Sequence, residues 1–154
     1  VSNAGTGPDI HPLRPSDHDE WLALWQAYIA FYKASVPDDI TELTFERITS
    51  ANVEIHGAIA RDQTGRAVGI VHWLTHPATW SRVPYVYLED LYVESGVRGG
   101  GMGRALIGHV EQWARGHGAA KVYWLTHDTN ATARGLYDLV ATHTGFVHYE
   151  IPLA

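Results

Sequence analysis

Residues 87–114 read YLEDLYVESGVRGGGMGRALIGHVEQWA, from Tyr87 to Ala114, and this stretch decides the fold. An apolar run broken by Glu89 and Asp90 leads into five glycines between residues 96 and 103. After them Leu106, Ile107, Val110, Trp113 and Ala114 recur at helical spacing and predict a helix from about Gly103 to Arg115. A strand, a glycine turn and a helix start together make an anion site. The first N–H groups of a helix have no internal acceptor and carry partial positive charge, and glycine lets a phosphate approach the main chain. Two familiar phosphate loops do not match. A P-loop needs Lys followed by Ser or Thr after its last glycine, but Gly103 is followed by Arg104 and Ala105. The dinucleotide fingerprint G-x-G-x-x-G would need glycine at 104 or 106, where Arg104 and Leu106 stand. What remains is R-x-x-G-x-G, from Arg98 through Gly99, Gly100, Gly101 and Met102 to Gly103.

Outward from this stretch the chain alternates strand and helix patterns. Residues 9–15, DIHPLRP, read as a short strand closed by Pro15. Ser16 is a candidate N-cap for a helix through Trp21, Trp25, Tyr28 and Tyr32, with Asp17, Asp19 and Glu20 in its first turn. TFERITSA reads as a short second helix. VEIHGAIA, AVGIVHWLTH and VPYVYLEDLYVES are three strands, the first two joined by a DQTG turn. After the glycine-led helix come a strand in AAKVYWLTH, a helix in NATARGLYDLVATH and a last strand in GFVHYEIPL. The order is β-α-α-β-β-β-α-β-α-β, a mixed sheet of the α/β (α+β) class in which hairpins meet a βαβ crossover at the glycine turn. Residues 1–8 are set aside as disordered or left from cloning, and residues 9–154 as one domain.

At this point the sequence resembles the GNAT superfamily of N-acetyltransferases. R-x-x-G-x-G after an apolar strand looks like that family's acyl-CoA pyrophosphate loop. The YLEDLYV before it and the NATARGLYDLVATHTGF after it look like the neighbouring family motifs, in the same order. The resemblance covers roughly residues 10–151. "LED" and the later "N…LY" are most similar to polyamine and thialysine acetyltransferases, and the ARGLYD…GF ending to yeast histone/polyamine-type enzymes and small bacterial relatives. It implies the GNAT fold, with a splayed strand before the loop, and acetyl-CoA as co-substrate. It also implies main-chain donors from Gly99, Gly100, Gly101, Met102, Gly103 and Arg104 for the pyrophosphate. Leu91, Tyr92 and Val93 would meet the pantetheine arm and the acetyl oxygen through their backbone. Arg98 either adds charge to this site or is a solvated loop residue. Asn130 is a plain N-cap or also a ligand of the pantetheine arm.

Acetyl transfer to an amine needs a base and an acid. An alkylammonium has a lysine-like pKa of about 10.4, so a carboxylate must take its proton, directly or through water. Glu89 and Asp90 interrupt an apolar strand, and the "LED" match favours Glu89; the alternative is a strand-end charge reaching solvent or paired with Arg. The resemblance places Tyr137 as the acid that protonates the leaving thiolate, although it also lies on the apolar face of its helix. The acceptor pocket would draw on Tyr28, Tyr32, Asp38 and Trp80, with Asp39, Glu42 and Tyr85 nearby in sequence. Aromatics beside carboxylates suit a cationic amine, and the same residues read equally as helix-face core and solvated loop.

Composition narrows the alternatives. The chain has no cysteine, which excludes disulfides, thiolate metal sites and a cysteine nucleophile. The ten histidines lack metal-ligand spacing: His72 and His76, four apart in a strand, lie about 13 Å from each other. No metal is expected. A formal net charge of −6 argues against nucleic acid as a partner. No signal peptide or apolar run of membrane-spanning length is read, so a cytoplasmic, non-membrane location is expected. The edge strand read in GFVHYEIPL, and the frequency of dimers in the family, suggest a homodimer. The expected activity is direct acetyl transfer to a small cationic amine in a ternary complex. A protein-lysine acetyltransferase and a catalytically silent acyl-CoA-binding module are the rival readings.

Overall fold

A computed structural model describes residues 7–51 and 54–154. Most of the expected N-terminal extension, residues 1–6, and the start of VEIHGAIA, Asn52 and Val53, lie outside the described residues. The elements are β1 (Asp9–Pro12), a 3-10 turn (Pro15–Asp17), α1 (His18–Phe31), α2 (Asp38–Thr49), β2 (Ile55–Arg61), β3 (Ala67–His76) and β4 (Tyr85–Val93). A second 3-10 turn (Ser95–Val97), α3 (Met102–Gly116), β5 (Val122–Tyr123) and α4 (Ala131–Val140) follow. Two compact units result, one running to Tyr123 and one from Trp124 onward.

The first unit is a five-stranded sheet in the order β1-β2-β3-β4-β5. β1 to β4 pair antiparallel, while β5 lies parallel to β4 after the α3 crossover. Alternation sends Ile59 and Ile70 to the face covered by α1 and α2, where they join Leu13, Trp21, Leu24, Trp25, Phe45 and Ile48 in one buried cluster. On the other face the Trp73 ring meets Trp113 of α3, edge-on at 5.6 Å between centroids. Leu106, Ile107, Val110 and Ala114 form the buried stripe of α3, as their spacing predicts. Removing a fully buried ring such as Trp21 should cost about 3–5 kcal/mol.

Four expectations change. Ser16 does not cap α1: it sits inside the 3-10 turn, and Asp17 turns back instead to accept the Arg14 amide at 2.9 Å. Asp17 is buried and ion-paired to Arg61 at 2.9 Å, so it serves tertiary packing. The second helix starts six residues earlier than TFERITSA, at Asp38. Pro37 precedes it, two acids occupy its first turn, and Thr41, Phe45 and Ile48 line its buried side. The strand expected over AAKVYWLTH shrinks to Val122–Tyr123, because β5 pairs with β4 only at Val86 and Tyr87. The closing strand expected over GFVHYEIPL is absent. Phe146, Val147, Tyr149, Ile151 and Leu153 are exposed, so the alternating pattern does not mark a buried face. The observed order is therefore β-α-α-β-β-β-α-β-α, the expected order without its last strand.

Candidate active site

The register of β3 against β4 shifts at one point. His72 pairs with Asp90 and Trp73 with Leu88, leaving Glu89 as the extra residue of a β-bulge. A bulge interrupts the one-up, one-down alternation that would have sent Glu89 and Asp90 to opposite faces. Both carboxylates raise the proton affinity of the Tyr28 phenol on α1. Burial is the larger cause of that rise, and Asp90 the next. Glu89 makes no hydrogen bond or ion pair among the described residues. Burial of its carboxyl pushes its pKa above the ordinary carboxylate value, Asp90 pushes it further, and His72 opposes.

Asp90 is held by two donors. The Tyr28 hydroxyl donates to Oδ1 at 2.8 Å, and Nδ1 of His72 lies 2.9 Å from Oδ2. His72 in turn accepts the Trp21 indole N–H at 3.0 Å on Nε2. An indole N–H only donates, so Nε2 is the acceptor and the ring proton sits on Nδ1, facing Asp90. His72 is 1% exposed, on the α1 face of β3. Tyr32 stands edge-on against Tyr28 at 5.1 Å, and Tyr92 borders it at 6.2 Å. Neither carboxylate faces a lysine or arginine among the described residues.

Within the first unit, the described pairing of β4 with β5 ends at Tyr87. This is the splay that the family resemblance implied. Glu94 gives its amide to the Val68 carbonyl at 2.9 Å. By alternation Tyr92 also turns its amide to β3, while Leu91 and Val93 turn theirs to the open edge. Of the three main-chain groups singled out from sequence, Tyr92 is thus committed to the ladder. The Val93 carbonyl faces outward too and accepts Arg98 Nε at 3.0 Å. The Arg98 guanidinium lies over the Phe31 and Tyr92 rings, 5.2 and 5.7 Å from their centroids. Arg98 therefore ties the turn after β4 to the end of α1.

The glycine turn has the conformation its composition required. Gly99 and Gly101 have φ of 89° and 83°, a region that side chains with a Cβ rarely enter. Gly101 is the N-cap of α3, and the first backward bond runs from Ala105 to the Gly101 carbonyl at 3.0 Å. The amides of Met102, Gly103 and Arg104 consequently have no acceptor inside the helix. A Cβ at Gly99 or Gly101 would meet nothing within 4 Å, so the surface above the turn is open. Bare backbone, outward amides and a helix dipole fit a diphosphate. The residues present match the loop expected to hold the pyrophosphate of coenzyme A.

In the second unit Asn130 occupies the N-cap of α4 but makes no capping bond; its amide donates to Thr126 Oγ1 at 3.4 Å. Tyr137 is half-buried on α4 and packs edge-on against Trp124 at 5.4 Å. The other expected pocket residues do not gather. Trp80 is 93% exposed in the β3–β4 loop, and Asp38 and Asp39 are exposed at the start of α2. Glu42 pairs with His18 at 2.9 Å. Sequence reasoning passed over His72, noting it only in connection with metals. The available signal was a lone histidine in the apolar run GIVHW, where a buried polar ring needs partners.

A β-strand opened at a bulge, a glycine turn and a helix start with free amides define an acyl-CoA-dependent acyltransferase. The model of the acetyltransferase (GNAT) family matches residues 21–139. The chain is 37% identical over 142 residues to D-amino-acid N-acetyltransferase HPA3 of Saccharomyces cerevisiae, covering 92% of this chain and 88% of that one. The chain belongs to the GNAT family and is an acetyl-CoA-dependent acetyltransferase. Among solved structures, ribosomal-protein-alanine N-acetyltransferase from Brucella melitensis biovar Abortus 2308 superposes with TM-score 0.76 at 23% identity, over 96% of this chain and all of that one. The AAC(6')-Iy complex with a CoA bisubstrate analogue gives TM-score 0.82 at 21% identity, covering 96% and 99%. Both share the fold. Among the described residues no group of three or more His, Asp or Glu could hold a metal ion, and no helix is long and apolar enough to cross a membrane.

Proposed function

We propose that this enzyme acetylates the primary amine of a small cationic acceptor, by direct transfer while acetyl-CoA and acceptor are both bound. The observation that carries this reading is the Glu89–Asp90 pair at the bulge. Two adjacent carboxylates, Asp90 half-buried and Glu89 open to solvent, face no lysine or arginine among the described residues and leave negative charge for a ligand to complete. An ammonium supplies it, and beside aromatic Tyr28 and Tyr32 it also gains cation–π attraction.

The bound thioester supplies an activated acetyl group. Met102, Gly103 and Arg104 amides hold the phosphates, and the outward amides of Leu91 and Val93 can meet the carbonyl oxygen as charge develops on it. Glu89 takes the ammonium proton, directly or through water. Its raised proton affinity brings it closer to neutral pH, which suits a general base. The neutral amine attacks the thioester carbonyl carbon, the C–S bond breaks, and Tyr137 gives its proton to the departing thiolate and regains one from the new amide nitrogen. With no cysteine in the chain, no thiol relay is available and transfer is direct.

A second reading has support from the yeast relative's name, which points to amino-acid acceptors. A thiol-release assay separates the two. A diamine, a neutral monoamine of equal length, a D-amino acid and its amide are compared by kcat/KM. The cationic reading expects the diamine and the amino-acid amide to lead. If the free D-amino acid exceeds its own amide, the acceptor carboxylate is recognised and the second reading replaces the first.

A homodimer is also proposed. The edge strand that first suggested it is absent, and its support is now the exposed apolar side chains of Phe146, Tyr149, Ile151 and Leu153.

A further inference from the structure

The least expected feature of the bulge is the chain Trp21–His72–Asp90–Tyr28, buried at Trp21 and His72 and half-buried at Asp90 and Tyr28. We propose that His72 is a positioning residue of this enzyme: its Nδ1–H, aligned by Trp21, orients Asp90 and stabilises the doubly ionised form of the Glu89–Asp90 pair that accepts the substrate ammonium. This rests on the reading of Glu89 as the group that receives the amine's proton.

The geometry carries the argument. His72 reaches Asp90 from the paired position across the ladder, and directly paired residues share a face of the sheet. Its other nitrogen is occupied by the Trp21 indole at 3.0 Å, so the ring cannot turn over without placing two N–H groups against each other. Asp90 therefore sees one fixed N–H and one fixed O–H, and donors of this kind to a carboxylate act on its charged form. Among the described residues no lysine or arginine does this work. The ionisable side chains shown to interact with the pair, among the described residues, are Tyr28 and Tyr32 on α1, His72 on β3, Tyr87 on β4 and Tyr123 on β5. Arg98 is turned onto Phe31 and Tyr92. His109 of α3 packs on Trp73, on the opposite face. A neutral donor chain holds the carboxylate in place yet leaves its charge uncancelled. An arginine in the position of His72 would hold Asp90 equally well and neutralise the charge that the substrate needs.

Two substitutions divide the ring's two bonds. His72→Asn keeps an N–H at the Nδ1 position, within reach of Asp90, and loses the Trp21 contact. His72→Gln keeps an acceptor at the Nε2 position for Trp21 and loses the donor to Asp90. Because the pair must be fully ionised to act, losing a donor raises the pH at which its last proton leaves. His72→Gln should move the acid limb of kcat/KM up by about one pH unit, while His72→Asn leaves it near the parent's position. The same shift is read without an acceptor by 13C carboxyl NMR titration of the ligand-free protein. Failure of the acetylation assay alone would overturn the functional reading and leave this measurement intact. Unmoved carboxyl titrations in His72→Gln, or equal shifts in both variants, overturn the role of His72. Should neither variant fold, 15N NMR of the parent decides: the proposal requires a protonated Nδ1 and a bare Nε2, and the opposite tautomer rejects it.

Discussion

At Glu89 one carboxylate pulls stability and activity in opposite directions. Its pKa is raised in the folded protein, so folding favours its protonated form. The sign follows: the favourable contribution is complete below the unfolded value, about 4.3, and is lost as pH rises through the raised folded value. At neutral pH the ionised side chain is the form that folding disfavours, by an amount that solvent screening of the exposed carboxylate keeps small. Glu89→Gln should accordingly raise Tm at pH 7 and leave it nearly unchanged at pH 4, as scanning calorimetry at the two pH values would check. The same variant should lower kcat by roughly 10²–10⁴-fold, the range of an acid–base group. Tyr137→Phe retains the ring that packs on Trp124 and removes only the hydroxyl. Turnover should fall within about the same range, with acetyl-CoA affinity kept; a fully active variant would leave Tyr137 a packing role.

Among the elements, α3 and its glycine turn were the most legible part of the chain, and β5 the least. The limits of α3 follow from its own residues: a run of apolar positions at helical spacing, started by glycines that only a positive φ explains. Two glycines on this element should behave in opposite ways. Gly101→Val forces a branched side chain into φ of 83° and covers the free amides, so acetyl-CoA affinity should fall sharply in a folded protein. Gly108 lies inside the helix, and a Cβ there would meet nothing within 4 Å. Gly108→Ala should therefore stabilise the protein by about 0.4–1 kcal/mol, seen as a higher Tm with unchanged cofactor binding. β5 could not be read in the same way. AAKVYWLTH has strand-like residues throughout, but strand length is set by a partner, and β4 offers one only as far as Tyr87. The second helix was misread for a related reason: Thr41 counts as polar in a pattern, yet it is buried and accepts the Trp25 indole N–H at 3.1 Å.

For the molecule as a whole, charge is the property that matters most to the acceptor. Seventeen acidic side chains against eleven basic ones give a negative field that favours cationic substrates. The contribution from exposed groups such as Asp38 and Asp39 is small, about 0.2–1 kcal/mol each, and falls with salt. The preference for a diamine over a neutral monoamine should therefore shrink between low and high ionic strength. It should not vanish, because Asp90 of the pair is half-buried. Ratios of kcat/KM at two salt concentrations test this, and a preference lost entirely at high salt would place recognition on the rim. Light scattering at micromolar concentration tests the dimer, which should dissociate when Phe146, Tyr149 and Ile151 are replaced by serine.

The sequence by itself determined the family, the fold class and the anion turn, because each rests on local chemistry. Glycine's permitted φ, helical spacing and the order of strands and helices are properties of neighbours along the chain. It also placed the two acids beside each other, but their relation was beyond its reach. Strict alternation along a strand would separate Glu89 from Asp90, and only pairing with β3 shows the bulge that breaks it. The donor chain from Trp21 through His72 to Asp90 joins residues 51 and 18 positions apart. Nothing local marks those three as partners. A buried polar group must find its donor or acceptor somewhere, and packing of α1 onto the sheet decides which one it meets.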